Sequence, residues 1–301
     1  MATLYTQVRS NKIKSLLYIA AFMALVLGIG WFAQYYLDAA WIFPVALVIA
    51  IVMSFSSYWY SDKLALATSG AKVISKKENP YIYRMVENLA ITAGLPVPKV
   101  AVIDDSAINA FATGRDPKHA AIAVTQGAID RLENEELEGV LAHELSHVGN
   151  YDTRLMTIVT VLAGLITLMA DFLLRWSWMG GDRGRETGQL GLIIFVVGLV
   201  LVLLSPFIAM LIQLAVSRKR EFAADATGAL MTRYPEGLAK ALEKIDKDQE
   251  PLEVANKATA HLYISNPFKN GSRKAVGWFA GLFSTHPAVE ERVKALRQMS
   301  V

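Results

Sequence analysis

Four long apolar runs constrain the fold of this 301-residue chain more than any other feature. Residues 15–37, 39–61 and 190–216 contain no acidic or basic side chain, and residues 155–174 contain only Asp171. Each run approaches or exceeds the ~20 apolar residues that an α-helix needs to cross a bilayer. We therefore predict an integral membrane protein, mainly α-helical, with about four transmembrane helices arranged as two hairpins.

The lysine and arginine residues predict how these helices are oriented. Basic residues precede the first run and follow the second, whereas the short link between the two runs carries only Asp38. Because basic residues beside membrane helices tend to stay in the cytoplasm, this bias places the N-terminus and the polar segment after residue 61 on the cytoplasmic side. A cleaved signal peptide is the alternative for the first run, but no small-residue cleavage site follows it.

The composition agrees with a membrane location and limits the expected partners. Hydrophobic residues make up 53% of the chain and the mean hydropathy is +0.34, which is too apolar for an ordinary soluble enzyme. Cysteine is absent, which excludes a disulfide framework and fits a reducing compartment. No basic stripe with interleaved aromatic residues occurs, so we expect no nucleic-acid partner. The expected partner from composition is the lipid bilayer, and the oligomeric state stays open.

The apolar runs divide the chain into four segments. Residues 1–61 form the first predicted hairpin and residues 155–216 the second, and residues 62–154 and 217–301 are two halves of one polar domain. The second hairpin is less certain, because the loop between its two runs contains three arginine residues. In the alternative interpretation, its helices pack against the polar domain instead of crossing lipid.

A histidine pair with metal-ligand spacing lies just before the second hairpin. Residues 142–148 read AHELSHV, so His143 and His147 share one face of a predicted helix and can bind one cation. Glu144 lies about 100° around that helix, within reach of water activated by the metal. This pattern is typical of zinc proteases, in which the glutamate accepts the proton of the attacking water. The alternative is an amphipathic helix with two ordinary histidines.

The second half of the polar domain offers a third ligand. Glu221 and Asp225 lie one helical turn apart, so that Glu221 can bind the metal while Asp225 orients a histidine ligand. On solvated helices this pair of acids is common and has no metal role. His147 precedes Leu155 by eight residues and Glu221 follows Val216 by five, so both arms of the site are predicted to continue from membrane helices. We expect the site just above the cytoplasmic membrane face.

The remaining polar segments predict a small sheet among helices. Strands are expected at residues 99–103, 108–113 and 120–125, closing a small antiparallel β-sheet. Helices are expected at residues 80–93, 126–131, 217–231, 236–247 and 287–298, with the histidine pair on a helix that begins near Glu133 or Asn134.

Four motifs of this chain resemble the HtpX-type membrane metalloproteases, which are bacterial relatives of the CAAX prenyl endopeptidases. HELSHVGNYD, REFAAD, NAFATG and the segment STHP at residues 284–287 occur in the same order in that family. The resemblance implies a gluzincin-like zinc protease domain in the bacterial cytoplasmic membrane, with one zinc ion held by His143, His147 and Glu221. It implies Glu144 as the general base and Asp225 as the partner of a histidine ligand. It also implies hydrolysis of misfolded or damaged membrane proteins, often under stress.

Further site residues are suggested with less specificity. The resemblance makes Asn109, Ala110 and Phe111 look like the edge strand that pairs with an extended substrate, although Asn109 is also a common turn residue. His286 could act catalytically, either as a fourth metal ligand or by stabilising the oxyanion, and its alternative is a surface histidine at a helix start. Arg292 could pair with substrate or with the site acids, and a solvated arginine is the alternative.

Two other functions compete with a quality-control protease. A prenyl-protein peptidase would use the same chemistry on another substrate. Such enzymes have more membrane helices, which enclose a chamber, whereas about four helices leave little to enclose one. A zinc-binding membrane protein or transporter without hydrolytic activity would place acids and histidines inside its spans, where this chain has almost none.

Overall fold

The computed structural model describes residues 4–179, 196–201, 218–253, 262–265 and 287–299. Within these ranges the chain is mainly helical, with one small sheet. The helices are α1 (Leu4–Leu37), α2 (Ile42–Trp59), α3 (Ser61–Thr68), α4 (Pro80–Thr92), α5 (Gln126–Arg131), α6 (Asn134–Gly149), α7 (Asp152–Met179), α8 (Arg218–Thr232), α9 (Pro235–Lys247) and α10 (Val289–Arg297). The strands are β1 (Lys72–Ile74), β2 (Lys99–Ile103), β3 (Ala110–Gly114) and β4 (Ala120–Thr125).

Three helices are long and apolar enough to cross a membrane, at Val8–Tyr35, Ile42–Trp59 and Asp152–Asp171. They agree with the first three apolar runs. The fourth run lies outside the described residues except for residues 196–201, which are helical. Within the protein, 67% of the apolar window of α7 is buried, against 17% for α1 and 22% for α2. Most faces of α7 therefore contact protein, whereas α1 and α2 leave most of their apolar surface uncovered.

The apolar helices share a core that is separate from that of the polar domain. Phe22 and Val26 of α1 cluster with Ile158 and Leu162 of α7 and with Leu201. All five side chains are buried, so α7 is held laterally against the first hairpin. Burial of these side chains fixes the position of α7, whose first residues adjoin the histidine pair.

The sheet has the strand order β1-β2-β4-β3, and one of its pairings corrects the prediction of an antiparallel sheet. β2 and β4 run parallel, whereas β1 with β2 and β3 with β4 run antiparallel, so the sheet is mixed. Every residue of β4 is buried, because its small and β-branched side chains suit a central strand covered on both faces. β4 therefore lies between β2 and β3, and β3 becomes an edge strand.

The helix α6 occupies the centre of the polar domain, where it contacts β3, β4, α4, α8 and α9. It begins at Asn134, as predicted, with a capping box formed by Glu133 and Glu136. It ends at Gly149, where Tyr151 adopts a φ of 59° and α7 begins one residue later. The helix that carries the histidines therefore does not continue unbroken into the membrane helix, and the chain turns between them.

Glycines let two neighbouring helices approach α6 closely. A Cβ added at Gly228 of α8 would lie 2.9 Å from the backbone nitrogen of His143, and one at Gly139 would lie 2.7 Å from the backbone nitrogen of Leu238. Because these contacts leave no room for a side chain, α8 packs with its backbone almost against α6. This approach brings the acids of α8 within reach of the histidines.

Candidate active site

The two histidines of α6 lie on one face of the helix, as the spacing predicted. His143 and His147 are both buried, and their Nε2 atoms are 3.3 Å apart. The imidazole rings meet at an interplanar angle of 89° with centroids 4.8 Å apart. The two lone-pair nitrogens therefore point at a common position beside the helix.

Glu221 of α8 completes a buried cluster of three ligand groups. Its Oε2 lies 3.8 Å from His143 Nε2 and its Oε1 lies 3.5 Å from His147 Nε2. A tetrahedral zinc ion with bonds of about 2.0–2.2 Å separates its ligand atoms by roughly 3.3–3.6 Å. The donor types and separations therefore fit a single metal ion held by His143, His147 and Glu221.

Each histidine of the cluster has a carboxylate at its other ring nitrogen. Asp225 Oδ1 lies 2.9 Å from His143 Nδ1, as the sequence predicted, and Asp152 Oδ2 lies 3.1 Å from His147 Nδ1. Such carboxylates fix the tautomer and orientation of a metal-binding imidazole. Asp152 was not among the predicted site residues, and its sequence signal is weak, because it is an acid three residues beyond the end of the histidine helix.

Arg292 of α10 lies among these acids rather than in solvent. It is only 1% exposed, and its Nε and Nη2 donate to both oxygens of Asp225 at 2.8 and 2.6 Å. Burial alone would raise the pKa of Asp225, but the charge and hydrogen bonds of Arg292, with those of His143, lower that pKa to about 2. Asp225 is therefore ionised beside His143, and Arg292 donates to both of its carboxylate oxygens.

The electrostatics of the cluster favour a bound cation. Burial would lower the pKa of His147, yet the hydrogen bond with Asp152 and the charges of Glu221, Asp152 and Glu144 raise it to about 9. A pocket that stabilises a proton on His147 so strongly also stabilises a metal ion that takes the place of that proton. The cluster therefore has nearby negative charges that a bound cation would offset, in addition to suitable ligand groups.

Glu144 lines the same small cavity as the three ligand residues, and it is 3% exposed. The other cavity walls are apolar apart from Thr153, and they are formed by Ala112, Thr153, Met156, Leu262 and Ile264. A carboxylate that shares this cavity with the ligand cluster is placed to exchange protons with water that enters it. His286, the other predicted catalytic residue, lies outside the described residues.

The predicted substrate-binding residues lie at the sheet edge beside this cavity. Asn109, Ala110 and Phe111 are all buried, and part of this edge is covered by residues 262–265. The backbone nitrogen of Ile264 donates to Ala110 O at 3.0 Å, and Asn109 Nδ2 donates to the backbone oxygen of Ser265 at 3.4 Å. Asn109 therefore holds a segment of its own chain in this structure.

Ala112 is the next residue of β3 whose peptide group faces away from the sheet. Asn109 O accepts from Thr125 N of β4 at 3.0 Å, and alternation along an antiparallel strand then turns the peptide groups of Ala110 and Ala112 outward. Ala110 is engaged by Ile264, whereas Ala112 borders the cavity with the ligand cluster. Ala112 was not among the substrate-binding residues predicted from the sequence, which end at Phe111.

Comparisons with known proteins agree with this geometry. Residues 76–300 match "Peptidase family M48". A protease HtpX homolog of Tropheryma whipplei (strain Twist) is 46% identical, with 98% of each chain covered. A protease HtpX homolog of Thermoanaerobacter pseudethanolicus is 43% identical, with 99% of each chain covered. The crystal structure of S. mikatae Ste24p is similar in fold, with a TM-score of 0.51 and 20% sequence identity, covering 97% of this chain and 67% of that one.

Proposed function

The chain belongs to peptidase family M48, and from this membership and the buried ligand cluster we propose that it is a zinc metalloendopeptidase of the bacterial cytoplasmic membrane. Its proposed substrates are misfolded or damaged membrane proteins, cut at the cytoplasmic membrane face. The observation that carries the proposal is the convergence of His143, His147 and Glu221 in a buried cavity that Glu144 also lines.

The proposed chemistry is hydrolysis without a covalent intermediate. When bound to the two histidines and Glu221, zinc would supply Lewis-acid activation of water and of the scissile carbonyl. The Glu144 carboxylate accepts the proton of the attacking water and returns it to the leaving amine. Asp225 and Asp152 hold the two imidazoles in the tautomer that presents Nε2 to the cluster.

The proposed substrate binds as an extended strand beside β3. The outward peptide group of Ala112 offers one donor and one acceptor at the cavity edge, and this pairing suits a protease of broad sequence preference. Pairing further along β3 requires residues 262–265 to leave Ala110. Substrate contacts of Asn109 and Ala110, and a role for His286 as a fourth metal ligand or oxyanion stabiliser, are part of the proposal. Arg292 is instead engaged by Asp225, and the peptide group of Phe111 faces β4.

The proposed topology has about four spans, with the N-terminus and both halves of the catalytic domain in the cytoplasm. It is supported by three apolar helices and by the basic residues around the first hairpin. α7 begins at Asp152, which contacts His147, so the site lies at the very end of a candidate span. A site at this height would meet polypeptides that leave the bilayer or lie against it.

The decisive experiment compares wild type with Glu144→Gln on an unfolded membrane protein in detergent, before and after chelation and zinc restoration. We expect chelation to abolish cleavage, zinc to restore it, and Glu144→Gln to bind zinc while losing cleavage by a factor of about 10²–10⁴. Glu135→Gln, an exposed acid on the same helix, is the control and should cleave like wild type. Unchanged cleavage by Glu144→Gln would refute the assignment.

A second arm of the experiment tests the substrate class. A prenylated peptide is offered beside the unfolded membrane protein under the same conditions. Cleavage of the unfolded protein supports a role in quality control. Cleavage of the prenylated peptide alone would replace that role with prenyl-protein processing by the same residues.

A further inference from the structure

A buried asparagine of the first membrane helix contacts the turn beside the ligand cluster. Asn11 of α1 lies within the candidate span Val8–Tyr35 and is only 2% exposed. Its Nδ2 donates to Asp152 Oδ1 at 2.8 Å and to the backbone oxygen of Asn150 at 3.1 Å. A polar side chain is costly in an apolar helix unless its groups are hydrogen-bonded, and here they are.

The neighbours of Asn11 require an amide rather than another polar group. Arg220 offers only donors, and its Nη1 donates to Asn11 Oδ1 at 3.1 Å. Asp152 and the backbone oxygen of Asn150 offer only acceptors, so the amide nitrogen must face them. An aspartate at position 11 would repel Asp152, and an alanine would remove both the donor to Asp152 and the acceptor for Arg220.

Asp152 is thereby held at both of its carboxylate oxygens. Oδ2 contacts His147 Nδ1 at 3.1 Å, and Oδ1 accepts from Asn11 and lies 3.4 Å from Arg220 Nη1. A carboxylate that is fixed at one oxygen has little freedom to rotate the other away from the imidazole. Asn11 therefore restricts the orientation of His147 without touching it.

Helix α1 contacts the turn between α6 and α7 at a second point. Tyr151 stands between α6 and α7 with a φ of 59°, a conformation that a non-glycine residue keeps only when its surroundings hold it there. Lys12 of α1 places its Nζ 4.4 Å from the centroid of the Tyr151 ring. Two consecutive residues of α1 thus hold the turn that carries Asp152.

We propose that Asn11 is a positioning residue for the metal ligand His147, acting through Asp152, so that the first membrane helix completes the metal centre. The inference rests on the proposed zinc site. It assigns to α1 a contribution to metal affinity in addition to membrane anchoring. Arg220, which precedes the ligand Glu221, shares this network and links it to the third ligand.

The test measures zinc affinity in the full-length, detergent-purified protein by competition with a chelating dye. Partners of metal-binding histidines change metal affinity by about 10–100-fold when mutated, and we expect a loss in this range for Asp152→Ala and of about 10-fold for Asn11→Ala. Asn11→Leu, which keeps the size of the side chain and suits an apolar helix, should lose as much zinc affinity as Asn11→Ala. The control Ser15→Ala removes a buried hydroxyl that donates to the backbone oxygen of Asn11 within α1, leaves the Asn11 amide in place, and should change affinity by less than about twofold.

A double-mutant cycle separates positioning from general damage to the fold. If Asn11 acts through Asp152, Asn11→Ala should weaken zinc binding no further when Asp152 is already alanine. Full additivity of the two losses, or Asn11 variants that bind zinc like Ser15→Ala, would overturn the inference while leaving the proposed function intact. Wild-type protein that binds no zinc would instead refute the proposed function and this inference with it.

Discussion

The buried pair of Arg292 and Asp225 supports a quantitative prediction about stability. Both side chains are at most 3% exposed, and two hydrogen bonds join them. The pKa of Asp225 is lowered from 3.8 to about 2 even though burial acts against ionisation, which corresponds to roughly 2 kcal/mol. Removing Arg292 also leaves the desolvation of Asp225 uncompensated, so we expect Arg292→Met to destabilise the protein by about 3–5 kcal/mol.

The same helix supplies a matched control. Arg297 of α10 makes ion pairs with Glu236 and Glu243 at 2.9 and 2.8 Å, but its side chain is 44% exposed. Exposed pairs contribute about 0–1 kcal/mol each, because water and salt screen them. Arg297→Met should therefore cost far less than Arg292→Met, although it too breaks ion pairs with two carboxylates.

Thermal unfolding of the chelator-treated protein, followed by circular dichroism, distinguishes the two variants. At about 2 °C per kcal/mol, the value for larger proteins, Arg292→Met should lower the Tm by about 6–10 °C and Arg297→Met by no more than about 4 °C. Adding Asp225→Asn to Arg292→Met removes the unpaired charge and should recover part of the loss. Equal Tm shifts for the two arginine variants would refute the argument from burial. A double variant of Arg292→Met and Asp225→Asn with a lower Tm than either single variant would also refute it.

Three further predictions concern the site and its neighbouring helices. His147→Ala should lose bound zinc in metal analysis while the protein still purifies as a folded species, since only a ligand is removed. Gly228→Ala should weaken zinc binding and lower the Tm because its Cβ would press on the backbone of His143, whereas Gly149→Ala, which meets only Leu95 at 3.4 Å, should be close to wild type in both measurements. Ala112→Pro removes an outward N–H and should lower kcat/KM about 10-fold with zinc still bound, so an unchanged kcat/KM would exclude strand pairing at that residue.

The sequence predicted those parts of the site that follow from helix geometry alone. His143 with His147, and Glu221 with Asp225, are spaced by one helical turn, so their shared faces are determined before any tertiary packing is known. The convergence of the two pairs on one point depends on the resemblance to a known family and on Gly228, which no spacing rule identifies. Helix bounds in the polar domain were close, because Pro, Asn and Gly mark their ends.

Features that depend on chain reversals could not be predicted in the same way. Asp152 follows His147 by five residues, which is not a helical contact spacing, and it reaches the ring only because Tyr151 breaks the helix at positive φ. The parallel pairing of β2 with β4 was missed because β3 lies between them in sequence and consecutive strands usually form hairpins. Asn11 lies in the short polar stretch before the first apolar run and gave no signal, since its partners come from residues 139 or more positions away.

The order of the ligands along the chain has a consequence for biosynthesis. His143 and His147 are translated well before Glu221, which follows the second histidine by 74 positions. The apolar helix α7 falls in that interval, and Glu221 reaches the histidines only once α8 has packed on α6. A nascent chain emerging from the ribosome therefore lacks a complete ligand set until α7 has been made and α8 has packed on α6.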